Sequence, residues 1–331
     1  MKPDTINVYI SGSGGFLGSV LKTAAPTGMR IIPIPTNDLL SEDVPLRFEP
    51  GSVVLHLGAR VHVMHETAAN PLEEFRTANV RATTRLAKAA IESGVATFIF
   101  ASSVFVFGRG RFSKGIIPDD SPPFPGDAYG QSKWEAEQAL AALFSSQWGS
   151  RCVILRLPMV YGPGNKGNML LLLKMASKGI PMPLGAARGK RSMLYSGNFT
   201  DAIFAVIRAP HMKPPTVRTY FLNDGADLTS AELYAAISRC YSGKQGIFFF
   251  PRWLLDSIAL IFAAVGRITG WRMMLTPETV SRLFDEYRFS AQQFMNDYGW
   301  RPPFTPEEGI RQTVAWHKTG KGGNPKNGLC A

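Results

Sequence analysis

Tyr129 and Lys133, in the run Asp127-Ala128-Tyr129-Gly130-Gln131-Ser132-Lys133, set a phenol and an ammonium at positions i and i+4. In a helix that spacing puts both side chains on one face, one turn apart. A phenol titrates near ~10 and is a poor acid or base at neutral pH. A fixed ammonium beside it favours the phenolate and lowers that pKa. The pair is therefore a candidate proton relay. Chance supplies Tyr-x-x-x-Lys often, so the elements that would position the pair carry the argument.

The first is Ser11-Gly12-Ser13-Gly14-Gly15-Phe16-Leu17-Gly18, between the apolar run Ile6–Ile10 and a predicted helix. Glycines let a backbone turn tightly, and a helix N-terminus offers free N–H groups to a phosphate. The spacing, with glycines at 12, 15 and 18, is G-x-x-G-x-x-G rather than G-x-G-x-x-G. The second is Phe98-Ile99-Phe100-Ala101-Ser102-Ser103, a predicted strand ending in two hydroxyls. In open parallel sheets the ligand sits outside the C-terminal ends of the strands. A serine there can hold a carbonyl or alcohol oxygen while a tyrosine exchanges its proton.

Strands and helices alternate through the first half. Strands are predicted at Arg30–Ile34, Val53–Ala59, Thr97–Ser102 and Arg151–Leu157. One helix is predicted to start at Asn70-Pro71, with Glu73 in its first turn, and to stop at Gly94. Another starts near Tyr129 and repeats Ala136, Leu140, Leu143 and Phe144 at helical spacing. This order implies an α/β fold, a doubly wound parallel sheet. After Pro158 loops predominate, and from Leu228 onward the chain reads as mostly helical.

Together the glycine turn, the strand-end Ser-Ser and Tyr-x-x-x-Lys resemble the short-chain dehydrogenase/reductase superfamily, in its extended, nucleotide-sugar-modifying branch. Val53–Arg60, Asn79, Arg156–Gly164 and Asn296–Phe304 are similar to further segments of that branch, in the same order. The resemblance implies a Rossmann-like domain over 1–157 plus about 192–223. A smaller substrate domain would cover about 158–191 plus 224–317, and residues 318–331 would form a basic flexible tail. It implies Ser103, Tyr129 and Lys133 as catalytic residues, with Ser103 rather than Ser102 on the reacting oxygen. Asn79 would support the lysine through water. Bound NAD or NADP would meet Gly12, Gly15, Phe16, Leu17, Gly18, Asp38, Leu57, Gly58, Ala59, Asn79, Tyr129, Lys133 and Pro158. A UDP-sugar would meet Ser103, Phe105, Tyr129, Asn168, Leu184 and Arg191. A homodimer through the helices near Asn79 and Tyr129 is expected on the same ground.

Two readings of the reaction stay open. One is a UDP-sugar 4-epimerase, acting at C4 of a UDP-hexose or UDP-N-acetylhexosamine. The other is a 4-keto-reductase forming a product such as UDP-N-acetylquinovosamine. The chain resembles bacterial surface-polysaccharide (O-antigen) enzymes commonly labelled UDP-glucose 4-epimerases, and some of that group are such reductases. The family often has Val-Tyr-Gly after its Ser-Ser, where this chain has Val106-Phe107-Gly108. With Phe105, that suggests a less polar sugar pocket and favours a 6-deoxy or N-acetyl sugar. A dehydratase fits less well, because Val104-Phe105 follow Ser103 where that branch carries Asp-Glu. Outside enzymes, a dinucleotide-binding sensor on the same fold would have no use for the relay. The second strand ends Ile34-Pro35-Thr36-Asn37, neither acidic nor basic, so NAD and NADP both remain open.

Composition bounds the rest. The 331 residues are 45% hydrophobic and 18% charged, as in globular proteins. No leader is expected before the first predicted strand, and three cysteines without metal or redox spacing fit a reducing cytoplasm. His62 and His65 share a helical spacing but complete no metal pattern, so no metal is expected. A net charge of +11 suits polyanionic ligands, yet no nucleic-acid motif accompanies it. Two basic clusters, Arg109, Arg111 and Lys114, and Arg188, Lys190 and Arg191, are placed by the resemblance at the substrate mouth. The apolar stretch Ile247–Val265 contains Pro251, Arg252 and Asp256 and is no stable membrane span. It reads as a packed helix, or else as a membrane-surface or dimer-contact helix.

Overall fold

The computed structural model describes residues 5–41, 43–60, 70–108, 115–145, 149–210, 216–269 and 276–320. His62, His65, Arg109, Arg111, Lys114, Cys330 and the tail beyond Gly320 lie outside them. The first half alternates as expected. β1 (Ile6–Ser11) leads to α1 (Phe16–Ala24), β2 (Met29–Ile34), α2 (Thr36–Leu40) and β3 (Val53–His56). α3 (Pro71–Phe75) and α4 (Ala82–Glu92) are joined by a π-helical stretch, Arg76–Arg81. β4 (Thr97–Ser103) runs into a 3-10 turn over Val104–Phe107, followed by the short β5 (Ile116–Ile117), α5 (Ala128–Phe144) and β6 (Arg151–Leu157). The Asn70 side chain accepts from the Glu73 N–H with Pro71 behind it, so the predicted helix start is where its chemistry put it.

Six strands form one parallel sheet in the order β10-β6-β4-β3-β1-β2, where β10 is Val217–Phe221. The order reverses between β1 and β3, which opens a crevice at their C-terminal ends. Side-chain alternation builds two apolar layers. Val8, Ile10, Leu55, Ile99, Val153 and Leu155 face one way, onto Phe199, Ile203 and Val206. Val54, Phe98, Phe100 and Ile154 face the other, onto Leu86, Ala90, Ala136, Leu140 and Phe144. Each Val, Leu, Ile or Phe side chain among them, fully buried, contributes about 1.5–3 kcal/mol.

Beyond β6 the elements are β7 (Met159–Tyr161), α6 (Asn168–Ser177), β8 (Lys190–Arg191), β9 (Met193–Tyr195) and α7 (Ser196–Arg208). After β10 come β11 (Leu228–Thr229), α8 (Ser230–Ser242), α9 (Arg252–Thr269), α10 (Pro277–Phe284), β12 (Arg288–Phe289), α11 (Gln292–Tyr298) and α12 (Pro306–Lys318). Capping boxes, Thr229 with Glu232 and Thr305 with Glu308, start α8 and α12. α6, α8 and α12 enclose a further core of Tyr161, Leu173, Leu233, Tyr234, Ile310 and Val314. α9 buries only one side: Leu255 and Ala259 pack with Val280 and Phe284, while Trp253, Leu260 and Ile261 are exposed. Among the described residues no helix is long and apolar enough to cross a membrane.

Candidate functional site

Strand ends gather the residues. Ser11, His56, Ser103 and Leu157 close β1, β3, β4 and β6, so all four lie at one edge of the sheet. α5 brings Tyr129 there. The Asp127 side chain accepts from the Gly130 N–H at 2.7 Å and caps the helix. A Cβ on Gly130 would come within 2.3 Å of the Phe105 carbonyl oxygen, so only glycine lets the first turn of α5 sit this close to the turn after Ser103. The Ser103 hydroxyl acts on the Tyr129 phenol and pulls its titration down. Rings of Phe75 and Phe105 stand edge-on to Tyr129, both with centroids 6.1 Å away.

The electrostatics differ from the expectation drawn from Tyr-x-x-x-Lys. Burial pushes the Tyr129 phenol up to about 12, against the Ser103 hydrogen bond that pulls it down. Lys133, 2% exposed, is itself pulled down to about 7 by burial, with Glu137 opposing. Its Nζ donates to the Ala101 carbonyl at 2.8 Å and lies 4.4 Å from the Phe100 ring centre. The lysine is thus buried in the sheet edge and half titrated near neutrality. The phenol stays in its acid form until more positive charge enters the site.

Asn79 sits in the π-helical stretch, a widening of the helix that turns one side chain out of register. Its amide donates to the Ser132 hydroxyl and to the Arg60 carbonyl, both at 3.0 Å, and its oxygen accepts from the Arg60 N–H at 2.8 Å. It therefore clasps the loop after β3 to α5, one residue from Lys133. Behind it, His56 is fully buried, with Nδ1 on the Ser11 hydroxyl and Nε2 on the Thr83 hydroxyl at 2.9 Å. Thr83 in turn donates to the Asn79 carbonyl. Burial, and secondarily Lys133, pulls His56 down to about 3. An unfolded histidine protonates near ~6.5. The neutral imidazole therefore stabilises the fold fully above pH 6.5, and that stability is lost as pH falls from there toward 3. Between pH 6.5 and pH 5 the expected loss is about 2 kcal/mol. Urea unfolding at the two pH values measures it. A His56→Gln variant with an unchanged pH slope would refute the assignment.

The glycine turn fits a dinucleotide pyrophosphate. Gly12 has φ +74°, and a Cβ there would lie 2.7 Å from the Gly58 nitrogen. A Cβ on Gly18 would lie 2.4 Å from the Gly12 carbonyl oxygen. The two glycines bring the turn, the Leu57–Ala59 loop and the start of α1 into contact. No side chain caps α1, and its first turn carries no acidic residue, so its first N–H groups have no side-chain acceptor. The Phe16 ring lies near Gly164 of the loop after β7. Asp38 falls in α2, a helix that the sequence reading left out, where its carbonyl accepts from Arg85 at 2.6 Å. Pro158 is buried between β6 and β7.

On the substrate side the expected residues divide. Asn168 opens α6, which also lacks a side-chain cap. Arg191 pairs with Leu228 in β8–β11 and bridges to Tyr287. Tyr287 stacks on Phe105 at 6.4 Å and donates to the Val104 and Gly108 carbonyls at 2.7 and 2.8 Å. A run of contacts thus links Arg191 through Tyr287 and Phe105 to Tyr129. Tyr287 escaped the sequence reading, since a lone tyrosine before a two-residue strand carries no pattern. Leu184 turns its side chain into the core, 2% exposed. Arg188 and Lys190 line a separate cavity of about 460 Å³ with Glu232, Arg239 and Glu307, and neither Ser103, Tyr129 nor Lys133 lines it. Phe107 does not line a sugar pocket: it is fully buried among Val106, Ile117, Phe221 and Phe289, where it packs under Arg156. Of the two phenylalanines taken as making the pocket less polar, only Phe105 meets Tyr129. Among the described residues no group of three or more His, Cys, Asp or Glu could hold a metal.

The model of the NAD dependent epimerase/dehydratase family matches residues 36–218. The chain is 32% identical over 325 residues to a UDP-glucose 4-epimerase of Vibrio cholerae, covering 93% of this chain and 94% of the other. It is 27% identical over 254 residues to an N-acetyl-alpha-D-glucosaminyl-diphospho-ditrans,octacis-undecaprenol 4-epimerase of Escherichia coli O157:H7, covering 76% and 74%. The fold matches that of RMD from Pseudomonas aeruginosa complexed with NADPH, with a TM-score of 0.70 at 20% identity over 95% of this chain and 100% of the other.

Proposed function

Because the chain belongs to the NAD dependent epimerase/dehydratase family, whose members are NAD(P)-dependent enzymes, we propose that it is a 4-epimerase of a UDP-hexose or UDP-N-acetylhexosamine. The observation that carries this reading is the convergence of Ser103, Tyr129 and Lys133 at the sheet edge that also holds the glycine turn. The likeness to the Vibrio cholerae 4-epimerase over almost the whole chain supports the choice of reaction.

The residues divide the work by position. The amides of Gly12–Gly18 hold the pyrophosphate of NAD(P), with Asp38 and Leu57–Ala59 along its adenosine and Pro158 along its nicotinamide. When bound, the cofactor accepts or supplies a hydride at C4 of its nicotinamide. Tyr129 would take the proton of the sugar 4-hydroxyl in one half of the cycle and return it to the 4-keto oxygen in the other, once the ketone presents its opposite face to the cofactor. Ser103 donates a hydrogen bond to that oxygen. Lys133 biases the tyrosine and meets the nicotinamide ribose, while Asn79 fixes the turn of α5 on which both depend. The start of α6 at Asn168 and the guanidinium of Arg191 hold the sugar-nucleotide diphosphate. A base beside Leu184 meets backbone, since that side chain is buried. In this reading the sheet layer is the dinucleotide domain, and 158–191 plus 224–317 form the substrate domain. A homodimer, a cytoplasmic setting and a product destined for surface polysaccharide belong to the same proposal.

A second reading, reduction of a UDP-4-keto-6-deoxy-N-acetylhexosamine, draws on Phe105 beside Tyr129 and on a phenol held as an acid, the form that ketone reduction consumes. One experiment separates the two. The purified protein is incubated with UDP-glucose, UDP-N-acetylglucosamine and the 4-keto-6-deoxy sugar nucleotide, with NADH or NADPH followed by absorbance. Interconversion of C4 epimers without net cofactor consumption is the expected result. Stoichiometric consumption with the ketone establishes the second reading. Silence with all three removes both.

A further inference from the structure

The C-terminal half carries an apolar surface that the site does not use. Among the exposed residues of α9, Trp253, Ser257, Leu260, Ile261 and Ala264 form one stripe at helical spacing, with Phe262 and Val265 exposed beside it and Arg252 at its start. Trp253, Leu260 and Ile261 are 68%, 61% and 60% exposed, and Phe249 of the preceding loop is 71% exposed. Ser257, the single polar residue of the stripe, turns its hydroxyl back onto the Trp253 carbonyl at 2.8 Å. The opposite side, Leu255 and Ala259, is closed by Val280 and Phe284 of α10. Contiguous exposed apolar faces of this kind are rare on soluble monomers and mark an interaction surface.

We propose that this face seats on an anionic lipid bilayer, with α9 lying in the plane of the interface. Three observations favour that occupant. The exposed face, with Phe249 of the preceding loop, is built mainly from Trp, Phe, Leu and Ile, the side chains that partition at the boundary between headgroups and acyl chains. α9 does not qualify as a membrane span, so it can lie on a membrane but not cross it. Charge completes the match. From Lys244 to Thr269 the sequence carries Lys244, Arg252 and Arg267 against Asp256, which pairs with Arg252 at 3.5 Å, within a chain of net charge +11. Anionic lipid attracts such a surface.

The face also joins the loop that carries Leu184. The Gly185 N–H donates to the Phe248 carbonyl at 3.0 Å, and Phe248 donates to the Met182 carbonyl at 3.1 Å. Docking would hold the Met182–Gly185 loop, and the cavity that Gly185 and Arg188 line, against the bilayer surface. The proposal does not depend on which sugar nucleotide is turned over.

Co-sedimentation of the full chain with vesicles tests it. Vesicles of phosphatidylglycerol with phosphatidylethanolamine are compared with pure phosphatidylcholine at low and physiological salt. A Leu260→Asp/Ile261→Asp variant is measured beside the wild type, with a thermal melt and light scattering on each. The expected result is at least about tenfold stronger binding to the anionic vesicles, weakened by salt and lost in the variant at an unchanged melt. If that variant fails to fold, Trp253→Gln on the same stripe gives the comparison. Binding that is absent, or equal in variant and wild type, overturns the proposal. So does a wild-type dimer that the variant splits in the absence of lipid, because a second copy would then cover the face.

Discussion

Tyr129→Phe will lower turnover of a UDP-hexose by about 10²- to 10⁴-fold, the range that a positioned acid or base contributes. Cofactor affinity will stay close to that of the wild type. The substitution removes one oxygen and leaves the ring that packs against Phe75 and Phe105, so the fold has no reason to respond. Its largest effect falls on the step that needs a proton donor, because the phenol is held up to about 12 and is protonated across the neutral range. Titration of binding with NADH or NADPH, beside kcat on UDP-glucose and UDP-N-acetylglucosamine, checks both halves. A variant that keeps more than about a tenth of wild-type turnover would take the proton transfer away from this residue.

The same tyrosine marks how far sequence reading reaches. Its place on a helix beside a strand-end serine was legible, because helical spacing, strand alternation and the Asn70-Pro71 start are local signals. So was the glycine turn, whose two close approaches forbid any side chain. The sign of the tyrosine's pKa shift was not. Spacing suggested an ammonium beside a phenol, whereas the fold buries both, and burial sets the direction of each shift. Phe107 misled for a related reason, since a motif position does not say which way a side chain turns, and this one turns into the core. The π-helical stretch that aims Asn79 has no signature in Arg76–Arg81. His56 and Tyr287 depend on partners far along the chain, Ser11 and Thr83 for one and Phe105 for the other. The apolar stretch after Pro251 was read mainly as a packed helix, and only one of its faces is packed.

Glu137 should give the largest single loss of stability. Its carboxylate accepts from Arg156, with Nη2 at 2.8 Å and Nε at 3.2 Å from each oxygen, and from the Ser102 hydroxyl. The two side chains are 3% and 8% exposed, and Phe107, Trp134 and Phe221 close over the guanidinium. Glu137→Leu strands Arg156 in that apolar setting and will cost about 3–5 kcal/mol. That is a large share of the ~5–15 kcal/mol that holds most domains folded. Glu137→Leu/Arg156→Met removes both charges and will recover most of the loss, because the desolvation of a lone cation disappears with it. Urea unfolding at pH 7 measures both variants. A single variant within about 1 kcal/mol of wild type would show that the pair is not holding the fold. A second readout separates stability from chemistry. Glu137 lies one turn from Lys133 and raises its pKa against burial, so in either variant Lys133 falls below its value of about 7. If turnover needs the ammonium, the basic limb of the pH–rate profile moves to lower pH in both variants. The double variant will then be restored in stability and still shifted in pH dependence, a split that a purely structural Glu137 could not produce.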